Sequence, residues 1–381
     1  MIYLDYNATT PCDPRVKEAM LPYLEAQFAN PSSLHTPGQT VRKAIEESRK
    51  KIAELINAQP EEIVFTSGGT EANNLAIKGI AYKKKKGHII TSSIEHPAVL
   101  RVCKALQKEG FQVTFLPVNH QGVVDPEDVR KAINKDTTLI SIMHVNNETG
   151  AIQPIKEIAK ISKEYEIPFH ADCVQSIGKI PVDLKKIGVN LASASAHKFY
   201  GPKGVGFLYI ERGIKLAPQI IGGHQERGLR GGTENVPGIV GLGEAAAIAR
   251  KEMQEEISKI EALRNTLEKG IKERIPEIKI VSENAARIHN TSLVLVKYVE
   301  GESMLLSLDL EGICASSGSA CTSGSLEPSH VLLACGIPPE EAHGSLRFSL
   351  GKYTTKEEIK TVLEVFPKIV ERLRSFSPFK I

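Results

Sequence analysis

No run in this 381-residue chain approaches the roughly 18 consecutive apolar residues that a membrane-spanning helix needs. The first residues, MIYLDYNATT, hold neither the basic nor the apolar region of a secretory signal. Cysteine is sparse and scattered. The six thiols, at 12, 103, 173, 314, 321 and 335, form no CxxC pair and no dense framework, which points to free thiols in a reducing cytoplasm. No cluster of His, Cys, Asp and Glu has metal-ligand spacing. Charge excess is missing too: a formal net charge of +3 gives no ground for a nucleic-acid or membrane partner. The densest basic run, Lys83 to Lys86, precedes Gly87 and reads as a solvated helix end rather than a polyanion site. There is no internal repeat and no low-complexity tract.

What remains is an ordinary soluble composition, 41% hydrophobic and 24% charged, long enough for two domains or one large α/β body with an appendage. Helical periodicity runs through TPGQTVRKAIEESRKKIAELINA. Short β-branched runs then follow: EEIVFTSG, HIITSSIEH, FQVTFLPV, TTLISIMHV, IPFHADCV and GVGFLYI, most of them separated by helical stretches such as HPAVLRVCKALQKEG. That alternation predicts an α/β fold, a mostly parallel sheet covered by helices on both faces. It fades near residue 250, where IARKEMQEEISKIEALRNTLEKGIKERI reads as one long amphipathic helix. Two shorter strands, a Ser/Gly loop and a final helix are expected beyond it. The division expected is a large domain over 16–250 and a smaller α+β domain over 1–15 and 251–381.

Four stretches carry candidate chemistry. TSGGTEANNLAIKG follows a predicted strand and opens a helix, so the backbone N–H groups after Gly68 and Gly69 and the Thr70 hydroxyl can face a phosphate, or simply cap the helix. It is neither a P-loop nor a GxGxxG fingerprint. FHADCVQSIG puts Asp172 at the end of an apolar strand with Gln175 after it, placed to meet a protonated ring nitrogen or to form a structural ion pair. ASASAHKFYGPKGVG sets Lys198 after small residues that leave room for a bulky group on its amine, with Ser195 and His197 beside it as phosphate donors; alone it also reads as a solvated lysine. SSGSACTSGSLEPSH surrounds Cys321 with small polar residues in a loop of about 316–330, an unusual setting for a residue type that is normally buried. In combination, a phosphate-ready helix start, an Asp on a strand end and a downstream lysine point to pyridoxal phosphate: phosphate on the helix, Asp172 on the pyridine nitrogen, Lys198 as Schiff-base lysine.

With these motifs in order, the chain resembles the cysteine desulfurases of the IscS/NifS type, within the class-V aminotransferase-like, fold-type-I pyridoxal phosphate enzymes. YLDYNATTP, NPSSLH, FTSGGTEANN, EHPAV, HVNNETG, HADCVQSIGK, SASAHKFYGPKG, ERGLRGGTEN, SSGSACTSGSLEPSH and LRFSLGK carry the likeness nearly end to end. The resemblance implies removal of sulfur from L-cysteine, giving L-alanine and a persulfide on Cys321 for iron–sulfur cluster assembly and other sulfur-transfer pathways. It implies that Lys198 carries the cofactor, that Asp172 and Gln175 bind the pyridine nitrogen and the ring oxygen, and that His96 stacks on the ring and passes protons. Asn147 would contact the cofactor's face. Gly69, Thr70, Ser195 and His197 would hold the phosphate, with Thr233 from the partner subunit of an obligate homodimer. Arg347 would clamp the substrate carboxylate, assisted by Asn30. Cys321 would also be the one candidate ligand of a transient [2Fe–2S] cluster, and an iron–sulfur scaffold protein or another sulfur acceptor would be the partner.

Two departures stand out. The chain ends soon after RLRSFSPFKI, shorter than the tail with which many IscS-type proteins dock their scaffold, and Gln225 stands between His224 and Glu226 where direct neighbours are expected. The SSGSACTS form and the longer loop favour the IscS/NifS group over the short-loop SufS-like group.

Overall fold

The computed structural model describes residues 1–317 and 327–376. Its centre is a seven-stranded sheet built from β2 (Ile63–Thr66), β3 (His88–Ser92), β4 (Gln112–Leu116), β5 (Thr137–Ser141), β6 (Phe169–Asp172), β7 (Leu191–Ser195) and β8 (Gly206–Ile210), with β1 (Ile2–Tyr3) lying elsewhere. The strand order is β2-β8-β7-β6-β5-β3-β4. All pairings are parallel except those of β8, which runs antiparallel to both β7 and β2. Every residue of β2, β3, β6, β7 and β8 is buried, which is why these strands read as continuous runs rather than alternating ones.

The period of two shows instead in which core each residue joins. Phe65, Ile90, Ile140 and Phe207 pack with the helices Thr36–Ile56, Ile155–Glu164 and the first half of Val236–Arg274. Their neighbours Val64, Ile89, Leu139 and Leu208 pack on the other face, against the helices Gly69–Lys84 and Pro97–Lys108. Successive Cβ atoms on opposite faces thus give the sheet its two helical layers.

A second body of structure contains β9 (Ile278–Ile280), β10 (Thr291–Val296) and β12 (Ser345–Ser349) as an antiparallel sheet in the order β12-β10-β9, while β11 (Ile313–Cys314) pairs in parallel with β1. Its apolar cluster joins Leu4 to Ile260, Leu267, Phe348 and Phe366, the last two meeting edge to face at 5.5 Å. Ser349 donates its N–H to Leu4 O at 2.7 Å, so the first residues of the chain are part of this cluster.

Three sequence expectations need correction. The helix expected near residue 250 begins earlier and runs unbroken from Val236 to Arg274. Its first half is buried with the large sheet and its second half, from Ile260, with the small one. Four strands rather than two follow that helix, because β9 and β11 span only three and two residues. β7, with the composition LASAS, had no place among the expected strands although it is a fully buried inner strand. Among the described residues, no helix is long and apolar enough to cross a membrane.

Candidate active site

The carboxyl ends of the parallel strands and the first residues of the chain enclose a cavity of about 280 Å³. Asp172 closes β6. Its Oδ1 accepts the Val174 N–H at 3.0 Å and its Oδ2 accepts Asn73 Nδ2 at 2.7 Å. Asn73 lies four residues after Gly69 in the helix Gly69–Lys84, so both fall on the helix face turned to the cavity. Gly69 is required there: a Cβ on it would stand 2.6 Å from Val174 Cγ2. The open N–H groups of this helix start are the element's natural anion site.

β7 ends at Ser195, and a single 3₁₀ turn, Ala196–Lys198, carries His197 and Lys198 into the cavity. Lys198 Nζ donates to Asn7 O at 2.6 Å and Ala8 O at 2.8 Å. His197 Nδ1 meets Thr9 Oγ1 at 3.0 Å, and burial, with the nearby Lys198 cation adding to it, lowers its pKa to about 4. His96 N-caps the helix Pro97–Lys108, with its Nδ1 accepting the Ala98 N–H at 3.1 Å, so in the neutral ring the proton sits on Nε2. Desolvation lowers the His96 pKa, against the pull of Asp172.

Arg347, in the middle of β12, is 2% exposed. Its Nη2 is paired with Asp5 Oδ1 at 2.8 Å and its Nη1 donates to Asn147 O at 3.0 Å, but its buried Nε has no hydrogen-bond partner. A buried guanidinium with a spare donor fits an incoming carboxylate.

Gly69, Thr70, His96, Asn147, Asp172, Gln175, Ser195, His197, Lys198 and Arg347 all line this one cavity. Asn30 and Thr233 do not. Asn30 is exposed, its Oδ1 accepting the Ser32 N–H at 2.9 Å. Thr233 follows a turn in which Glu226 and Arg227 are both left-handed, at φ 44° and 59°, and which is anchored by the buried Arg49–Glu226 pair at 2.7 Å. Cys321 and the residues around it, 318–326, lie outside the described residues.

Two contributors carried no role in the sequence reading. Asn7 is a hub: its O accepts Lys198 and Gln175, and its Nδ2 donates to Asn147 O and Thr291 Oγ1. Asn73 holds the aspartate. Both stand inside motifs singled out by sequence, YLDYNATTP and FTSGGTEANN, and an Asn in each was the available signal.

Two buried carboxyls flank the site. Burial raises Glu95 to about 8 and Glu148 to about 7. The described thiols are not poised for reaction: none lines the cavity, and desolvation pushes Cys103 and Cys173 up to about 12 and Cys335 to about 11. Among the described residues no group of three or more His, Cys, Asp and Glu is arranged to hold a metal ion.

The aminotransferase class-V family model matches residues 2–362. A relative called cysteine desulfurase IscS, from Dictyoglomus turgidum, is 55% identical over 381 residues, covering all of this chain and 97% of the relative. The chain belongs to the cysteine desulfurases of the class-V aminotransferase family. Another cysteine desulfurase IscS, from Methanosarcina thermophila, is 53% identical over 379 residues, 99% of this chain and 94% of the relative. The solved structure of a NifS-like protein superposes with a TM-score of 0.92 at 41% identity, covering 98% of this chain and all of that one. That of SspA in complex with cysteine gives 0.83, also at 41% identity, over 93% of this chain and all of that one.

Pyridoxal phosphate is the cofactor of this desulfurase family, and the residues present fit it. A carboxylate held by one hydrogen bond on each oxygen with acceptor sites to spare, an open helix start that a side chain would fill, and a lysine bonded to main-chain carbonyls share one cavity.

Proposed function

We propose that this protein is a pyridoxal-phosphate-dependent cysteine desulfurase whose working residues are Lys198, His96 and Cys321, with Arg347 as the substrate clamp. The observation that carries the reading is the convergence of Lys198, Asp172, Gln175, His96 and Arg347 on one cavity from well-separated parts of the chain. Bound pyridoxal phosphate supplies an electron sink for negative charge developing at the substrate's Cα.

The chain's own residues do the rest. Lys198 offers the amine that holds the cofactor, and as a base it moves the proton at the substrate's Cα. Asp172, fixed by Asn73 and the Val174 N–H, would face the ring nitrogen and hold a proton there. Gln175 presents an N–H to the ring oxygen. Gly69, Thr70, Ser195 and His197 take the phosphate, and Thr233 completes it from a second copy in a homodimer. His96, neutral at physiological pH with its proton on Nε2, stacks on the ring and passes protons. Arg347 takes the substrate carboxylate with Asn30 assisting. The Cys321 thiolate forms an S–S bond to the substrate sulfur as the Cβ–S bond breaks. The electron pair of the broken bond stays on carbon, which takes up a proton and leaves as the methyl group of alanine. That no described cysteine lines the cavity supports Cys321 as acceptor of the sulfur.

The persulfide then passes to an iron–sulfur scaffold protein or another sulfur acceptor, and a transient [2Fe–2S] cluster held through Cys321 belongs to the same reading, as does a cytoplasmic setting. The domain division, 16–250 against 1–15 with 251–381, is supported by two of the apolar clusters, which part between Ala249 and Ile260, while another packs Ile94 and Met143 against Val281 and Leu293 across the division. Incubation with L-cysteine and a reductant tests the function. Sulfide and alanine in equal amounts are expected, and pyruvate and ammonia in place of alanine would make the protein a β-eliminating lyase instead.

A further inference from the structure

Lys179 has no part in the account above, yet it lies against the site. It sits four residues after Gln175 in the turn that follows β6, half-buried, with its ammonium turned inward. Its Nζ donates to Gln175 Oε1 at 2.6 Å and to Asn7 Oδ1 at 3.3 Å. The turn that brings it there depends on Gly178, whose φ of 78° suits glycine and whose Cβ, were there one, would stand 2.4 Å from Phe199 Cγ. Phe199 directly follows Lys198, so the segment bearing Lys179 is packed on the segment bearing the Schiff-base lysine.

The chemistry of the contacts fixes the Gln175 amide. An ammonium only donates and a main-chain carbonyl only accepts. Lys179 Nζ faces one end of the amide, and Asn7 O accepts Gln175 Nε2 at 3.0 Å on the other. Turning the amide over would set NH₂ against NH₃⁺ and oxygen against oxygen. Asn7 O is not dedicated to this task, because it also accepts Lys198 Nζ at 2.6 Å. Lys179 is therefore the partner that specifies the amide's oxygen end, and it leaves the second N–H of Nε2 for the cavity that Gln175 lines.

We propose that Lys179 is a positioning residue for the desulfurase reaction: by holding Gln175 Oε1 on a lysine ammonium anchored to Asn7, it commits the Gln175 amide to donate to the ring oxygen of the cofactor. The proposal rests on the reading of Gln175 given above.

The test is a double-mutant cycle on the full chain, reading the dissociation constant of pyridoxal phosphate for the apoprotein and the apoprotein's melting temperature. Lys179→Met and Gln175→Ala should each weaken cofactor binding about five- to tenfold, an amount typical of one lost hydrogen bond. The double variant should be no weaker than Gln175→Ala alone, and Lys179→Met should melt no lower than the wild type. Should Lys179→Met fail to fold, Lys179→Ala, which admits water, takes its place in the cycle. Additive losses would show that Lys179 acts independently of Gln175 and overturn the proposal. Unchanged cofactor binding in Lys179→Met beside a weakened Gln175→Ala would overturn it while leaving the Gln175 reading intact. Unchanged binding in Gln175→Ala would remove that reading and the proposal with it.

Discussion

On the sheet side of the cavity, the polar atoms of Asp172, Gln175 and Lys198 are bonded within the protein, to Asn73, Val174, Lys179, Asn7 and Ala8. On the side contributed by β12, Arg347 is as deeply buried but leaves its Nε without a partner, and an acidic residue from the start of the chain, Asp5, shares its charge. The first wall is organised for a group that stays, the second for one that comes and goes. An unmet buried donor costs about 1–3 kcal/mol, which the arriving carboxylate recovers. Preorganisation and reserve capacity thus divide between two parts of the fold.

Breaking the first wall at its reactive residue should have the largest effect. Lys198→Ala is expected to lower turnover by roughly 10³-fold or more while the fold persists. Borohydride should fix pyridoxal phosphate to Lys198 in the wild type, and mass spectrometry finding the reduced adduct on another lysine would displace this residue. Breaking the second wall should be felt by substrate alone. Arg347→Ala is expected to raise the apparent KM for cysteine by tens to several hundred-fold, about 2–4 kcal/mol for a lost bidentate pair, with the pyridoxal phosphate dissociation constant unchanged. Arg347→Lys should not restore it, since an ammonium cannot copy the fork. Equal losses of cofactor and substrate affinity in Arg347→Ala would abolish the distinction between the walls.

Asn73→Ala sharpens the comparison from the other side. It strips one hydrogen bond from Asp172 and should weaken cofactor binding about fivefold, roughly 1 kcal/mol, without changing substrate affinity once the enzyme is saturated with cofactor. Measuring both constants on the same preparation checks this.

The smallest expected effect lies in the dependence of apoprotein stability on pH. Burial lowers His170 and His289 to about 3 and His144 and His197 to about 4. The unfolded chain therefore takes up these protons first, and stability present above the ordinary histidine value of 6.5 is lost as pH falls below it. Glu95 and Glu148 act with the opposite sign: raised to about 8 and 7, they stay protonated in the folded chain, so stability declines as pH rises from 4.5 toward those values. Of these six groups only the carboxyls contribute above 6.5, and below it the four histidines prevail over them. The melting temperature should pass through a maximum near pH 6.5, and Glu148→Gln should flatten its alkaline limb.

How far sequence reached differs along the same lines. The wall built from strand ends was legible because Asp172, Ser195 and Lys198 follow the strands in local motifs. The strand that carries Ser195 and leads into Lys198 was not. β7 is LASAS, with no β-branched residue, and its place between β6 and β8 comes from small side chains that let flanking helices approach, an effect of packing rather than propensity. The helix Val236–Arg274 hid its true start because residues 236–249 are buried nearly all round and show little amphipathic period. Asp5, Asn7 and Lys179 were missed for a third reason. The roles of Asp5 and Asn7 arise from contacts across more than 150 residues, as when Asn7 meets Lys198 or Asp5 meets Arg347, and no local pattern encodes such a meeting; Lys179 meets Gln175 four residues away, but its anchor on Asn7 is equally distant in sequence.

The central claim is that sulfur leaves the substrate for Cys321 and for no other thiol. Single turnover with sulfur-labelled L-cysteine, without reductant or acceptor, followed by peptide mapping under non-reducing conditions, tests it most directly. The label is expected on the peptide containing Cys321, and Cys321→Ala should bind pyridoxal phosphate normally yet release almost no sulfide. Label on Cys103, Cys173 or Cys335, which are buried and whose thiols are held far from ionisation, would contradict the account.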